Sequence, residues 1–402
     1  MDFSRPTRLA TTTNLKKVWS ASRDARRGPR GAGIDGETPA QFARRLDDNL
    51  QRARSRLFAP TFAYHPLRAS FILKKNGSDR VICIPTVEDR LIQRVCLEHL
   101  QSGDKLKVRN RVSYGFHSGK DTGVLKAVKK AKNLRTQHPW AVKSDIESFF
   151  NRINRPRLKD AIKRALGKRA VVPFLLSAID TEVKVDDDID AKRLAASDIK
   201  SGEGLRQGMP LSPLLSNFVL RHFDQGIIAA NLKMVRYADD FIVLCDSKDE
   251  ALRALECISV LLAKLGHTIP PLGNGSKTQI YGPEVSSEFL GFDISPLGNR
   301  YRVLAPKIAW DRAVELTEPF RRFEECRLHF PTLAGALNSL RSKLTSFANT
   351  YSIARNSTEL ASHAENCRRQ ASQSLITNIF GADVVSNLSA EQLVFLDIDL
   401  GK

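Results

Sequence analysis

Apolar residues recur along this chain with two different periods. Met234-Val235 and Phe241-Ile242-Val243-Leu244-Cys245 are short apolar runs on either side of Tyr237-Ala238-Asp239-Asp240. Runs of this kind predict two strands joined by a tight turn. Phe71-Ile72-Leu73 and Val81-Ile82-Cys83-Ile84 flank Asn76-Gly77, a second hairpin signal. It carries Lys74, Lys75 and Arg80 near its tip and arms. Trp140-Ala141-Val142 predicts a strand that ends at Asp145, and Phe289 to Ile294 one strand with Gly291 at its centre. A strand also follows Lys277-Thr278.

Helical spacing fills much of the rest. It starts around residues 15–22 and runs over 39–57, where Phe42, Leu46 and Leu50 share a face. Thr86, with Asp89 three residues on, predicts a capped helix that buries Val87, Leu91, Val95, Ile92, Cys96 and Leu100. Ser212 and Pro213 predict the cap and first turn of a helix carrying Leu215, Phe218, Val219, His222 and Phe223. Further helices are predicted over 248–266, Leu333 to Tyr351 and Ser357 to Ile379. Residues 155–200 read as a polar connection, with Asp186-Asp187-Asp188 in a solvated loop. The fold class is α+β.

A length of 402 residues allows a large core and two or three subdomains. Lys and Arg number 63 against 44 Asp and Glu, a formal charge of +19, which points to a polyanionic partner such as nucleic acid. The six cysteines form no CxxC pair, which argues against a zinc site or a disulfide framework and suits a reducing cytoplasm. No apolar run reaches the length of a membrane span and no signal-peptide pattern opens the chain, so no membrane partner and a cytoplasmic location are expected.

Two adjacent carboxylates on a turn repel one another unless a cation or a paired base lies near. Asp239 and Asp240 are therefore either a polar hairpin tip or a divalent-metal site. Asp145, at a strand end, is a natural third ligand. Lys74, Lys75 and Arg80 suit a triphosphate clamp or a solvated hairpin. Gln207, between glycines and before a helix, is placed to touch a nucleotide. Lys126, Lys129, Lys130, Lys132 and Arg135 face either a phosphate backbone or solvent. The glycine-rich stretch Arg30 to Thr38 is a loop open to a close phosphate approach or an ordinary turn.

These stretches, in order over residues 14–295, resemble bacterial reverse transcriptases of the group II intron lineage. Arg30 to Thr38 with Gln41-Phe42 looks like their N-terminal extension motif. Arg80 to Arg90 with Gln93 looks like the fingers motif, and Ser113 to Thr122 is similar to their "SYGF.SG" loop. Ser144 to Phe150 resembles the palm motif "DI..FF", and Gly204 to Asn217 resembles "QG..LSPLLSN". Tyr-Ala-Asp-Asp, Lys277-Thr278 and "FLGF" complete the series. The resemblance implies a right-hand polymerase: an N-terminal extension over 1–65, fingers over 66–140, a palm with an antiparallel sheet over 141–300 with an insertion at about 155–200, and a helical thumb with C-terminal helices over 301–402.

It also implies RNA-directed DNA synthesis with two Mg²⁺ ions, Mn²⁺ being the alternative. Asp145, Asp239, Asp240 and the carbonyl of Ile146 would supply hard oxygen ligands. Asp145 and Asp239 would bridge both ions, and Asp240 would lie nearer the primer-end ion. Lys74 and Arg80 map to the triphosphate clamp and Gln207 to nucleotide positioning. Phe149 or Phe150 maps to the gate against a 2′-hydroxyl, with Phe149 favoured by its spacing from Asp145. Tyr237 maps beneath the primer terminus. Lys277 either protonates the leaving pyrophosphate or contacts phosphates. The implied partners are an RNA template, expected to be a non-coding RNA, together with dNTPs and the DNA product. A second copy of the chain or an accessory protein is a further option.

The chain departs from intron-encoded proteins in carrying about a hundred residues after the palm and no paired cysteines. It lacks the NAxxH stretch and VTG triplet usual in retron enzymes, and no ribonuclease H segment is seen. The expectation is a compact, stand-alone enzyme similar in layout to those of antiphage defence. Three alternatives stay open: an intron-derived protein that assists splicing, a non-catalytic RNA-binding protein, and template-independent DNA synthesis.

Overall fold

The structure is a computed structural model that describes residues 11–26, 31–73, 77–117, 119, 122–185, 187–389 and 391–392. Its chain forms two compact units. The first comprises 1–127, 144–243 and 249–279, and the second 128–143, 244–248 and 280–402.

The first unit opens with helix α1 (Thr12–Ala21), capped by Thr11 and burying Leu15, Val18 and Trp19. The helix expected over 39–57 is two: α2 (Pro39–Arg44) and α3 (Leu46–Leu57). The break has a cause. Arg45 leaves helical geometry, and the buried Asn49 amide donates to the Phe42 carbonyl at 2.9 Å, satisfying a group that a continuous helix would have bonded. Strands β1 (Leu67–Leu73) and β2 (Asp79–Ile84) pair antiparallel, with Arg80 opposite Ile72. The turn holding Lys74, Lys75 and Asn76 lies outside the described residues. Helix α4 (Val87–Gln101) starts at Thr86, whose hydroxyl accepts from the Asp89 amide.

Helix α5 (Val124–Gln137) and strand β3 (Trp140–Asp145) follow, and both run from one unit into the other. Residues 155–200 are not a polar connection. They form α6 (Arg155–Leu166), α7 (Val172–Asp180), the short β4 (Val183–Lys184) and α8 (Asp188–Ala195). The apolar positions of α6 and α7 bury Leu158, Ile162, Phe174 and Leu175, so that stretch has a helical core face. β4 adds to β1 in parallel, giving a sheet of order β2-β1-β4. Asp187 caps α8 by accepting from the Asp190 amide, so it does helix-capping work; Asp186 lies outside the described residues.

Helix α9 (Ser212–Ala229) has Pro213 in its first turn, but Ser212 is not its cap: its hydroxyl donates to the Arg206 carbonyl at 2.8 Å. Strands β5 (Lys233–Tyr237) and β6 (Asp240–Cys245), helix α10 (Lys248–Ala263) and strand β7 (Gln279–Tyr281) come next. The sheet order β5-β6-β3-β7 sets the ends of β3 and β6 side by side.

In the second unit the stretch 287–297 is a hairpin. β8 (Ser287–Phe289) and β9 (Phe292–Leu297) pair antiparallel around Leu290-Gly291, both at positive φ (52° and 78°). Gly291 is therefore a turn residue, as a two-residue hairpin loop demands. β10 (Arg300–Leu304) completes the sheet β10-β9-β8. Helices α11 (Ile308–Glu315), α12 (Phe323–Arg327), α13 (Leu333–Thr350), α14 (Ser357–Phe380) and α15 (Ala382–Ser386) end the unit. Phe320, Leu340, Leu344, Cys367 and Leu375 form part of their shared core. None of the six cysteines is in a disulfide, and burial pushes Cys83 and Cys96 up to about 12.

Arg135 overturns an expectation. It faces neither solvent nor phosphate but is fully buried in the second unit. Its guanidinium donates to Ser287 Oγ and to the carbonyls of Gly282, Val285 and Ile294 at 2.6–3.0 Å, and it covers the Tyr301 ring at 4.5 Å. Burial lowers its pKa. Planar donors that saturate several carbonyls leave those carbonyls orphaned when removed. Arg135→Leu is therefore expected to destabilise the fold, at about 1–3 kcal/mol for each carbonyl left unsatisfied, read as a lower urea midpoint. An unchanged midpoint would show that these bonds contribute nothing.

Candidate active site

The Tyr-Ala-Asp-Asp turn is held by a group that the motif does not contain. Arg236, at 0% exposure, donates to the Ala238 carbonyl at 2.7 Å. Its other donors reach Asp224 Oδ1 at 2.7 Å and Oδ2 at 2.5 Å, with Asp224 also fully buried on α9. Asn217 joins through its oxygen, and its amide donates to the Gly115 carbonyl at 2.8 Å. Asn110 donates to Asp224 and accepts from the amides of Val112 and Ser113. One buried network thus ties α9, the 110–116 loop and the turn together.

The turn is strained. Ala238 has φ 58° and Asp239 is not at positive φ, the pattern of a II′ hairpin turn that favours glycine at its first loop position. Gly115 packs so closely that a Cβ there would lie 2.8 Å from the Ala238 nitrogen. The rings of Phe116 and Tyr237 meet at 5.5 Å. The "SYGF" loop therefore clamps the turn from one side, while Ser118 and Lys120 lie outside the described residues.

Asp145 comes from the end of β3. The amide of Ile146 donates to the Asp239 carbonyl at 3.1 Å, which fixes the two acids' backbones to each other. Lys277 Nζ contacts Asp145 Oδ2, while Asp145 Oδ1 is buried with no hydrogen-bond partner. Lys277 is placed by its neighbour Thr278, whose hydroxyl bonds Ser144 Oγ at 2.6 Å. Burial raises the pKa of Asp239. The charge of Asp145 raises it further, against the opposing pull of its own amide and the charges of Lys277 and Arg80. A cation between the two carboxylates would offset both the desolvation and the repulsion.

One cleft gathers most of the sequence-predicted residues. Arg80, Asp145, Ile146, Phe149, Phe150, Gln207, Asp239 and Lys277 all line it. Asp240 opens β6 half-buried and is not among the lining residues, nor is Tyr237. Among the described residues no group of three or more His, Cys, Asp or Glu is arranged to hold a metal ion. The coupled pair at this point is Asp145 with Asp239. Lys74 lies outside the described residues. Phe149 is 1% exposed, edge-on to Phe150 at 5.6 Å and to His267 at 5.0 Å, while Phe150 is half-buried.

Gln207 is set by its backbone. Its carbonyl accepts from the Cys83 amide at 2.7 Å. Gly208 follows at φ 111°, where a Cβ would sit 2.3 Å from the Cys83 carbonyl oxygen. No other residue fits this join to β2. At the other end of β2, Asp79 takes a bidentate pair from Arg193 of α8 at 2.8 Å, and Arg193 lies 4.3 Å from the centre of the Phe71 ring. That fork, which pulls Asp79 below the usual carboxylate range, anchors the residue before Arg80. Asp198 also lines the cleft. The sequence reading missed Arg193, Asp198, Arg236 and Asp224. A lone Arg before an acidic turn and a lone Asp on an apolar helix are the only signals, and neither carries a spacing rule.

Residues 72–294 match the family described as reverse transcriptase (RNA-dependent DNA polymerase). The chain is 26% identical over 307 residues to the protein YkfC of Escherichia coli, covering 66% of this chain and 75% of that one. It is 28% identical over 205 residues to the Retron Ec73 reverse transcriptase of Escherichia coli, covering 48% of this chain and 58% of the other. Among solved structures, apo telomerase from Candida tropicalis aligns with a TM-score of 0.46 at 15% identity, over 83% of this chain and 60% of that one.

The buried pair behind the turn makes its own prediction. Arg236→Leu leaves Asp224 charged and unpaired in the core, at a cost of about 3–5 kcal/mol, whereas Arg236→Leu with Asp224→Leu recovers much of it. Urea denaturation of both variants checks this. Equal loss in the two would mean that the charge pairing is not what holds the turn.

Proposed function

The chain belongs to the reverse transcriptase (RNA-dependent DNA polymerase) family, and from that premise we propose that the cleft extends a primer by two-metal nucleotidyl transfer on an RNA template. The chain is an RNA-directed DNA polymerase of α+β, right-hand architecture. The observation that carries the site assignment is Asp145 and Asp239 lining one cleft, with a buried, unpartnered Asp145 oxygen and a raised Asp239 pKa. These donors fit divalent cations, which this family generally uses, and Mg²⁺ with Mn²⁺ as the alternative suits hard carboxylate oxygens. Such ions would supply an activated 3′-hydroxyl and charge neutralisation at the phosphoryl group.

The chain's own residues then divide the remaining work. Asp145 and Asp239 hold the cations, with the Ile146 carbonyl as a further donor and Asp240 as the neighbour nearer the primer end. Lys277 occupies Asp145 Oδ2 and must leave it for a cation, which frees the ammonium to meet the triphosphate or its leaving group. Arg80 and Lys74 clamp the phosphates. Gln207 positions the incoming nucleotide, and Tyr237 supports the primer terminus. Phe149, held by Phe150 and His267, blocks a 2′-hydroxyl.

We propose further that the enzyme is of the group II intron lineage and works with a non-coding RNA in antiphage defence. The order of motifs supports the lineage, and the similarity to a retron reverse transcriptase supports a bacterial reverse transcriptase. The domain boundaries at 65, 140 and 300 belong to the same proposal.

Asp145→Asn and Asp239→Asn are each expected to lower primer extension by about 10²–10³-fold or more, with RNA binding kept. Extension at wild-type rate would remove the acids from the site. Activity should fall on acidification as Asp239 takes up a proton, at a higher pH than an aspartate without this burial and the neighbouring Asp145 charge. Lys277→Gln removes a charge that lowers that pKa, so the acid limb should move to higher pH; a limb that stays put would contradict the coupling. Phe149→Ala should admit ribonucleotides in a competition assay. Admission by Phe150→Ala alone would move the gate by one residue. For the defence role, Asp239→Ala in a host carrying the complete locus should abolish phage protection, and unchanged protection would reject it.

A further inference from the structure

A second cavity of about 480 Å³ lies in the first unit and shares no lining residue with the cleft. Its wall is part apolar, through Leu158, Phe218 and Leu265, and part strongly cationic, through Arg157 and Arg164 of α6, Arg221 of α9 and Lys264 after α10. The carboxylate in this wall is Asp160. None of the four cations is ion-paired among the described residues; Arg221 donates to His222 Nε2 at 3.2 Å. The guanidinium of Arg221 lies 4.0 Å from the centre of the Phe218 ring. Its pKa is lowered by burial and by the like charge of Arg164. His267, 2% exposed, lines the same wall, and its Nδ1 is buried with no hydrogen-bond partner. Burial brings this imidazole down to about 4, so it is neutral near pH 7, one nitrogen a donor and the other an acceptor.

Four cations facing one carboxylate leave an excess of positive charge in this wall, and their mutual repulsion is relieved when an anion enters. The volume falls within the range of small-ligand sites, and an apolar floor with a few polar groups is their usual make-up. We propose that this cavity is a second nucleotide-binding site, taking a base against Leu158, Phe218 and Leu265 and a phosphate among Arg157, Arg164, Arg221 and Lys264. The planar Arg221 guanidinium, which already covers the Phe218 ring, offers the base its stacking surface above this apolar floor. The occupant is either a free nucleotide or one residue of an RNA strand, since both present the same base and phosphate. His267 is shared between this wall and the back of Phe149, where the rings meet at 5.0 Å.

The test uses the full chain without divalent cation, so that it reads this cavity whether or not the cleft extends primers. Two photoprobes are applied: 8-azido-AMP and a short single-stranded RNA carrying 4-thiouridine. Adducts are mapped by mass spectrometry. At least one probe is expected to label peptides bearing residues 153–165, 218–222 or 264–267, with saturation. Arg164→Gln with Arg221→Gln should weaken that labelling about tenfold or more, and Arg157→Gln with Lys264→Gln, both exposed, should weaken it in the same direction. Thermal midpoints of both variants confirm the fold. Labelling by azido-AMP assigns a free nucleotide, and labelling by RNA alone assigns a strand. No adduct at these peptides, or labelling that neither double variant weakens, overturns the proposal.

Discussion

The candidate site depends on one buried ion pair. Arg236 and Asp224 are both sealed from water, and the same guanidinium holds the Ala238 carbonyl. A buried pair of this kind gains little net stability over an apolar substitute, but it fixes geometry, because neither partner can move without stranding the other. Here that rigidity is spent on a turn with Ala238 at positive φ. The turn is what puts Asp239 into the cleft. Gly115 presses the same turn from the neighbouring loop, and the amide of Asn217 on α9 holds the Gly115 carbonyl.

A second constraint acts between the acids themselves. Burial and the nearby charge of Asp145 raise the cost of ionising Asp239, and Lys277 partly offsets it. Lys277 remains largely exposed, so its contact with Asp145 is weak by the standards of buried pairs and open to exchange. The resting site is thus a carboxylate pair with a removable cation from the chain itself, an arrangement suited to a divalent ion that arrives with substrate. Around it, Gly208 and the Arg193–Asp79 fork hold β2, and with it Arg80, against the Gln207 loop.

Much of this was legible in the sequence. The two hairpins, the α4 cap at Thr86 and the long helices α13 and α14 follow from apolar period and turn chemistry, which are local. Asp145, Asp239, Arg80, Gln207, Phe149, Phe150 and Lys277 share one cleft because each lies at or near the end of a strand or, for Gln207, before helix α9. What was not legible is non-local. Arg135 looks like the end of a basic helix face, yet it finds carbonyls about 150 positions away in the chain. Asp224 and Arg236 are ordinary residues until α9 and β5 are packed. Gly291 looks like a strand glycine because period alone does not separate a bent hairpin from one continuous strand. In residues 155–200 the charged faces of α6 and α8 mask the signal, although Val171 to Ile179 is an apolar run that marks the buried helix α7.

The central claim is that the turn held by Arg236 sets Asp239 beside Asp145 to receive a divalent cation. The most direct measurement is anomalous scattering from crystals soaked in Mn²⁺. The account predicts a manganese peak bonded to Asp145 and Asp239, with Lys277 withdrawn from Asp145 Oδ2. Ordered crystals that show no manganese at this pair, or that place it elsewhere while Lys277 keeps its contact, would contradict it.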